Sequence, residues 1–228
     1  MKNLLKKSIP FFVLLLTISF SVNAQAGRKG AEAQMLLNKT KGSNSGVEGS
    51  PYSTSDFVSA TILPINKPFL VKYDAYKDQM EVKKDGNVLI LNKHVKEYVI
   101  KLNGNNGTYK ILATPPYRAL GYFFVVSENQ NISLYKKEVK NIEEEKAASY
   151  SNMSKTPAKF SKLKTEFYIK YSSEDVVIKL PRSKKQVINL FPDNKDQVKK
   201  FIKENNIKFS DEASLTKFVL FLNETISI

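Results

Sequence analysis

The sequence contains no cysteine, no tryptophan and a single histidine in 228 residues. Without cysteine there is no disulfide, no thiolate nucleophile, no iron–sulfur cluster and no cysteine-ligated zinc. One histidine excludes a multi-histidine metal site within one chain. Acidic residues are also short: 22 Asp and Glu face 36 Lys and Arg, a formal charge of +14. Against these absences, 42% of residues are apolar and 25% charged. That suffices for one sizeable domain or two small ones and is too apolar for a fully disordered chain.

The one long apolar run lies at the N-terminus. Lys2, Lys6 and Lys7 precede a stretch from Ile9 to Phe20, which ends in the small residues Val22-Asn23-Ala24 and Ala24-Gln25-Ala26. This is the three-part layout of a secretory signal, with cleavage after Ala24 or Ala26. The apolar stretch is about a dozen residues, against about 20 for a spanning helix. Cleavage would remove three lysines and no acid, leaving 14 − 3 = +11. Export without disulfides fits a bacterial envelope better than a eukaryotic secretory route. Periplasmic residence is the expectation, ahead of release to the medium.

After residues 1–24, the segment 25–50 is poor in large apolar residues and carries Gly42-Ser43-Asn44-Ser45-Gly46, the composition of a flexible arm. Residues 51–180 carry β signals. Phe57–Leu63 and Phe69–Tyr73 are short apolar runs, and Met80 and Val82 alternate with charges before the turn Asp85-Gly86-Asn87. Tyr98, Ile100 and Leu102 alternate along a half-buried strand, a Gly-Asn loop at 103–107 follows, and Tyr109–Ala113 answers across it. Leu120–Val126 is apolar on both faces, as in a central strand, and Ile132–Val139 follows another turn. Residues 143–162 interrupt the pattern as a mobile loop, after which Leu163–Tyr171 and Val176–Leu180 read as a returning hairpin.

From 181 to 228 the period becomes helical. Ser183 and Gln186 have capping-box spacing, Asp193 precedes a stripe of Val198, Phe201 and Ile202, and Ser210 or Asp211 precedes Leu215, Phe218, Val219 and Leu222. The expected fold class is α+β. An antiparallel meander of about eight to ten strands, curled or folded as a sandwich, carries C-terminal helices packed on the sheet.

Several stretches carry a family likeness. They are Gly49-Ser50-Pro51-Tyr52, Phe57, the run from Tyr73 to Val82, Gly121-Tyr122-Phe123, and Ile132 to Lys137 with the lysine-rich tail. Over roughly 49–228 the chain resembles exported β-rich proteins common in Bacteroidota, a group without an established activity. The resemblance implies export and a shared fold, and transfers no catalytic residue.

Two candidate sites follow from the residues themselves. Asp74, Asp78 and Glu81 lie within eight residues, close to Tyr73 and Tyr76. Acid–base work needs carboxyl groups converging across a cleft, about 5–9.5 Å apart in glycosidases. On an extended strand Asp74 and Asp78 would stand about 13 Å apart. Lys184, Lys185, Lys195, Lys199, Lys200, Lys203 and Lys208 cluster in sequence, which suits a lipopolysaccharide, anionic lipid or other polyanion. His94 lies in a polar turn with no Gly-x-Ser-x-Gly elbow to serve as its nucleophile. No metal cluster, cofactor fingerprint or nucleic-acid motif is present. The leading expectation is a non-enzymatic envelope protein that binds a protein partner by surface contact. A polyanion-binding module and a hydrolase are the alternatives.

Overall fold

The computed structural model describes residues 35–38, 46–104, 106–145 and 155–225. The expected signal sequence (1–24), most of the 25–50 segment expected as a flexible arm and the centre of the 143–162 insert lie outside the described residues. The fold is α+β, as the periodicities indicate. Its main sheet is an unclosed antiparallel arrangement of 11 strands, with a separate two-stranded ribbon.

The strands are β1 (Leu36–Asn38), β2 (Val58–Leu63), β3 (Lys67–Asp74), β4 (Gln79–Lys84), β5 (Asn87–Leu91), β6 (Val99–Leu102) and β7 (Thr108–Thr114). They continue as β8 (Ala119–Ser127), β9 (Ile132–Val139), β10 (Ile142–Glu143), β11 (Lys159–Phe160), β12 (Lys164–Tyr171) and β13 (Ile178–Lys179). The helices are α1 (Lys184–Asn189), α2 (Lys195–Glu204) and α3 (Glu212–Thr225), with a 3-10 turn at Pro192–Asn194. Among the described residues no helix is long and apolar enough to cross a membrane.

Local sequence explains the hairpins. Asp85 and Gly86 have φ of 49° and 77°, the left-handed pair that a two-residue hairpin turn requires between β4 and β5. Side-chain alternation sets the register: Ala60 and Ile62 of β2 are buried, as are Val71 and Tyr73 of β3 and Met80 and Val82 of β4.

The strand order is β1-β5-β4-β3-β2-β6-β7-β8-β9-β12-β13. Strands β2 to β5 form a meander, and β6 returns to pair with the free side of β2. A flat sheet would hold β5 and β8 six spacings apart, about 29 Å. Yet the Tyr122 hydroxyl of β8 donates to the Leu91 carbonyl of β5 at 2.9 Å. The sheet therefore curls until these two strands face each other, around a core that includes Met35, Ile62, Tyr73, Val82, Ile100 and Tyr122.

The arm is not wholly free of structure. Leu36–Asn38 extends the sheet as β1 against β5, and Met35 is buried in the curled core. The insert is likewise closed at its base, where β10 pairs with β11.

A second core lies between the β9–β12 face and the helices. Ile132, Leu134, Phe167 and Ile169 meet Val187, Val198, Ile202, Leu215, Phe218 and Leu222. Phe218 is the hub, with the rings of Phe191, Phe201 and Phe209 centred 6.1, 6.4 and 5.6 Å away. The stripe expected on α3 is the buried one, and the Asp211 carboxylate caps it by accepting the Ser214 N–H at 2.8 Å. Ser183 precedes α1 as expected, but its side chain makes no capping bond. Asn194, the last residue of the 3-10 turn, takes the N-cap position expected of Asp193.

Strands β8 and β9 pair only over part of their length. Phe124 lies opposite Lys136, Val125 opposite Tyr135 and Ser127 opposite Leu134, with a bulge between Val125 and Ser127. Beyond Phe124 and Lys136 the two strands part, and the β3–β4 turn fills the gap. Lys140 donates its N–H to the Ala75 carbonyl at 3.0 Å, and Tyr122 donates its N–H to Asp78 Oδ1 at 3.1 Å.

Candidate functional site

The three carboxylates occupy the two ends of that turn and the strand after it. Asp74 and Asp78 do not follow one another along an extended strand, because the chain reverses between them. Asp74, 3% exposed, accepts the N–H groups of Tyr76 and Lys77 at 3.0 and 2.9 Å. It thereby holds the turn. Burial raises its pKa, nearby Glu81 adds to that, and the two backbone bonds only partly offset them. Glu81, 2% exposed, accepts the Tyr52 hydroxyl at 3.1 and 3.3 Å on its two oxygens.

Asp78 is the most heavily engaged of the three. Its Oδ1 accepts the Tyr73 hydroxyl at 2.8 Å and the Tyr122 N–H at 3.1 Å. Its Oδ2 meets Lys137 Nζ at 3.0 Å and Lys93 Nζ at 3.3 Å. Lys93 also donates to the Asp78 carbonyl at 3.0 Å. One carboxylate thus ties β3, β8, β9 and the segment after β5 at the place where the sheet curls past itself. Burial first, and then the Asp78 charge, push the Tyr73 and Tyr122 phenols far above their ordinary range, so both remain neutral donors.

Gly121 leaves room for the Lys137–Asp78 pair. A Cβ there would lie 2.6 Å from Lys137 Nζ and 3.0 Å from Asp78 Oδ2. Each of the three carboxylates is therefore bound into the fold. His94 is exposed, and its N–H bonds the Asn92 side chain at 3.1 Å.

The seven lysines of the tail are all exposed; Lys208 lies near enough to Asp211 to help lower its carboxyl, and the other six form no salt bridge among the described residues. They are spread over α1 (Lys184, Lys185), α2 (Lys195, Lys199, Lys200, Lys203) and the following loop (Lys208). Lys195, Lys199 and Lys203 recur every four residues and line one flank of α2. Asp193, Asp196, Glu204 and Asp211 are interleaved with them.

A groove of about 530 Å³ opens elsewhere, at the outer edge of β12. Its floor is apolar, with Phe167, Leu180 and Phe209 buried, and its rim carries Lys164, Lys179 and Arg182. The groove exists because β13 is only two residues long. Pro181, two residues past its end, lacks an N–H and turns the chain away, so the start of β12 is left without a neighbour on that side.

Backbone geometry identifies what this edge offers. The Phe167 carbonyl accepts the Leu180 N–H at 2.8 Å, so Phe167 turns its polar groups outward. Thr165 stands two residues earlier and faces the same way, and its carbonyl accepts Arg182 Nη2 at 3.4 Å. The Thr165 N–H therefore points into the groove and meets no acceptor among the described residues.

On the rim, Lys179 pairs with Glu166, which also accepts the Tyr168 hydroxyl at 2.9 Å. Burial alone would raise Glu166, but Lys179 and Tyr168 outweigh it and hold that carboxyl below its usual range. Lys164 and Arg182 have no carboxylate partner among the described residues. Sequence reasoning passed over this site because Lys164, Lys179 and Arg182 are scattered among other lysines. The available signal was Pro181, placed where it cuts a returning hairpin short.

No family model, curated protein or solved structure matches this chain.

Proposed function

We propose that the chain is an exported, non-enzymatic envelope protein that binds a protein partner by surface contact. The address rests on the signal-like N-terminus and on the resemblance to exported Bacteroidota proteins. The contact role rests on one observation: the acid–base candidates are bound inside the fold, while unmet hydrogen-bonding and charge lie on the surface. Asp74, Asp78 and Glu81 hold a turn, a sheet crossing and a tyrosine. Thr165, Lys164 and Arg182 remain open at a sheet edge.

The test is crosslinking in intact cells, followed by affinity purification of the tagged chain and mass spectrometry. One protein recovered in stoichiometric amount is the expected result. A repeated blank would overturn the reading.

Binding of an anionic lipid or glycan is the second reading, favoured by the exposed flank of Lys195, Lys199 and Lys203. It expects salt-sensitive binding to anionic vesicles, lost when these three are changed to glutamate.

A further inference from the structure

We infer that the β12 edge groove takes an acidic, extended protein segment, which adds as a strand beside Thr165 and sets its carboxylates against Lys164 and Arg182. This rests on the partner-binding reading and deepens it by naming the partner's chemistry. Strand addition needs an unpaired donor and acceptor at a sheet edge, with room for alternate side chains. The Thr165 N–H supplies the donor. Arg182 covers the Thr165 carbonyl at 3.4 Å, a long bond that an incoming N–H can replace.

The floor of Phe167, Leu180 and Phe209 suits apolar side chains on one face of the incoming strand. The rim selects charge. It carries three cations and one acid, Glu166, which Lys179 already neutralises. Lys164 and Arg182 are left to receive an anion, and guanidinium can grip a carboxylate through two parallel bonds. A basic segment would be repelled here, by the rim and by a chain whose formal charge is still 14 − 3 = +11 after cleavage at Ala24. The volume of about 530 Å³ lies within the range of pockets that enclose specific ligands.

The test uses the full chain and isothermal titration calorimetry with a synthetic peptide of alternating glutamate and valine. Two controls accompany it: the glutamine–valine peptide, and the acidic peptide with alternate backbone amides N-methylated. Saturable binding of the acidic peptide is expected, weaker by about tenfold or more for either control. Arg182→Glu with Lys164→Glu should weaken binding by a similar factor without lowering the melting temperature, since both side chains are exposed.

Thr165→Pro removes the N–H that faces the groove, together with the threonine side chain, but no N–H that pairs β12 with β9, and should weaken binding as well. If that variant fails to fold, the double charge reversal carries the test. The inference is overturned if the acidic peptide does not bind, or if its affinity ignores Arg182 and Lys164. It is also overturned if binding falls only when Lys195, Lys199 and Lys203 are changed to glutamate. A cellular partner still captured by the Arg182→Glu, Lys164→Glu chain would overturn the groove while leaving the partner-binding reading intact. A blank with the unaltered chain would overturn that reading itself.

Discussion

Replacing Asp78 by asparagine isolates the charge that fastens the curled sheet. Asparagine has the same shape and tolerates the left-handed backbone that Asp78 adopts at φ 53°, so the turn itself is not penalised. Its amide oxygen can still accept from the Tyr73 hydroxyl and the Tyr122 N–H. Its amide nitrogen, however, would face two ammonium groups where Oδ2 now meets Lys93 and Lys137. These side chains are 19% exposed for Asp78, 18% for Lys137 and 30% for Lys93, so water replaces the lost partner only in part.

Breaking a fully buried pair costs about 3–5 kcal/mol, and partial exposure lowers the expectation to about 2–4 kcal/mol. For a domain of this size that corresponds to a fall of roughly 4–16 °C in melting temperature. Urea denaturation should show a lower midpoint at an unchanged slope. Lys137→Met should cost less in the Asp78→Asn background than alone, with a coupling above about 1 kcal/mol. A loss below about 0.5 kcal/mol for Asp78→Asn would refute the assignment of this carboxylate as the clasp of the sheet.

Two further outcomes are expected. Gly107 has φ 99° and lies beneath the Phe124 ring, where a Cβ would fall 2.0 Å from Cζ. Gly107→Ala should therefore cost about 2–4 kcal/mol in thermal melts, and distinctly less when Phe124 is already alanine. Glu138 has its pKa raised, first by burial and also by Glu212, against the pull of Lys136 and Ser53. A carboxyl raised in the folded state favours folding when protonated, and that contribution is lost as pH rises through its folded pKa. Glu138→Gln should accordingly gain melting temperature relative to the unaltered chain as pH goes from about 4 to about 7. A constant difference across that range would contradict the cause assigned to the shift.

Local features were legible in the sequence because their causes are local. The Asp85-Gly86 turn, the buried alternation of Tyr98 and Ile100, and the α3 stripe all depend on residues within a few positions of one another. Leu120–Val126 read as apolar on both faces, and Tyr122 does enter the curled core while Phe123, on the other side of β8, joins a smaller cluster of Tyr135, Tyr168 and Val177. The return of β6 to β2 was not legible, since nothing near Val99–Leu102 specifies a partner about 40 residues earlier.

The carboxylates show the same limit. Their spacing along the chain was visible, but Asp78 acquires its role from Lys93, Tyr122 and Lys137, all supplied by later strands. The β12 groove depends on a gap rather than on a residue, and a gap between strands has no sequence signature beyond the proline two residues past β13.

The separation of the curled core from the sheet–helix core has a consequence for the order in which the chain can acquire structure. Every buried residue of the curled core lies between Met35 and Tyr122, and its clasp is complete once Lys137 is present. The sheet–helix core begins at Ile132 and needs Phe218, Val219 and Leu222 from the last helix. A chain emerging from its N-terminus can therefore bury its first half early. It then holds Ile132, Leu134, Phe167 and Ile169 uncovered until nearly the whole length is available. That interval, with a bare apolar sheet face and an open β12 edge, is when the molecule is most exposed to pairing with another unfinished chain.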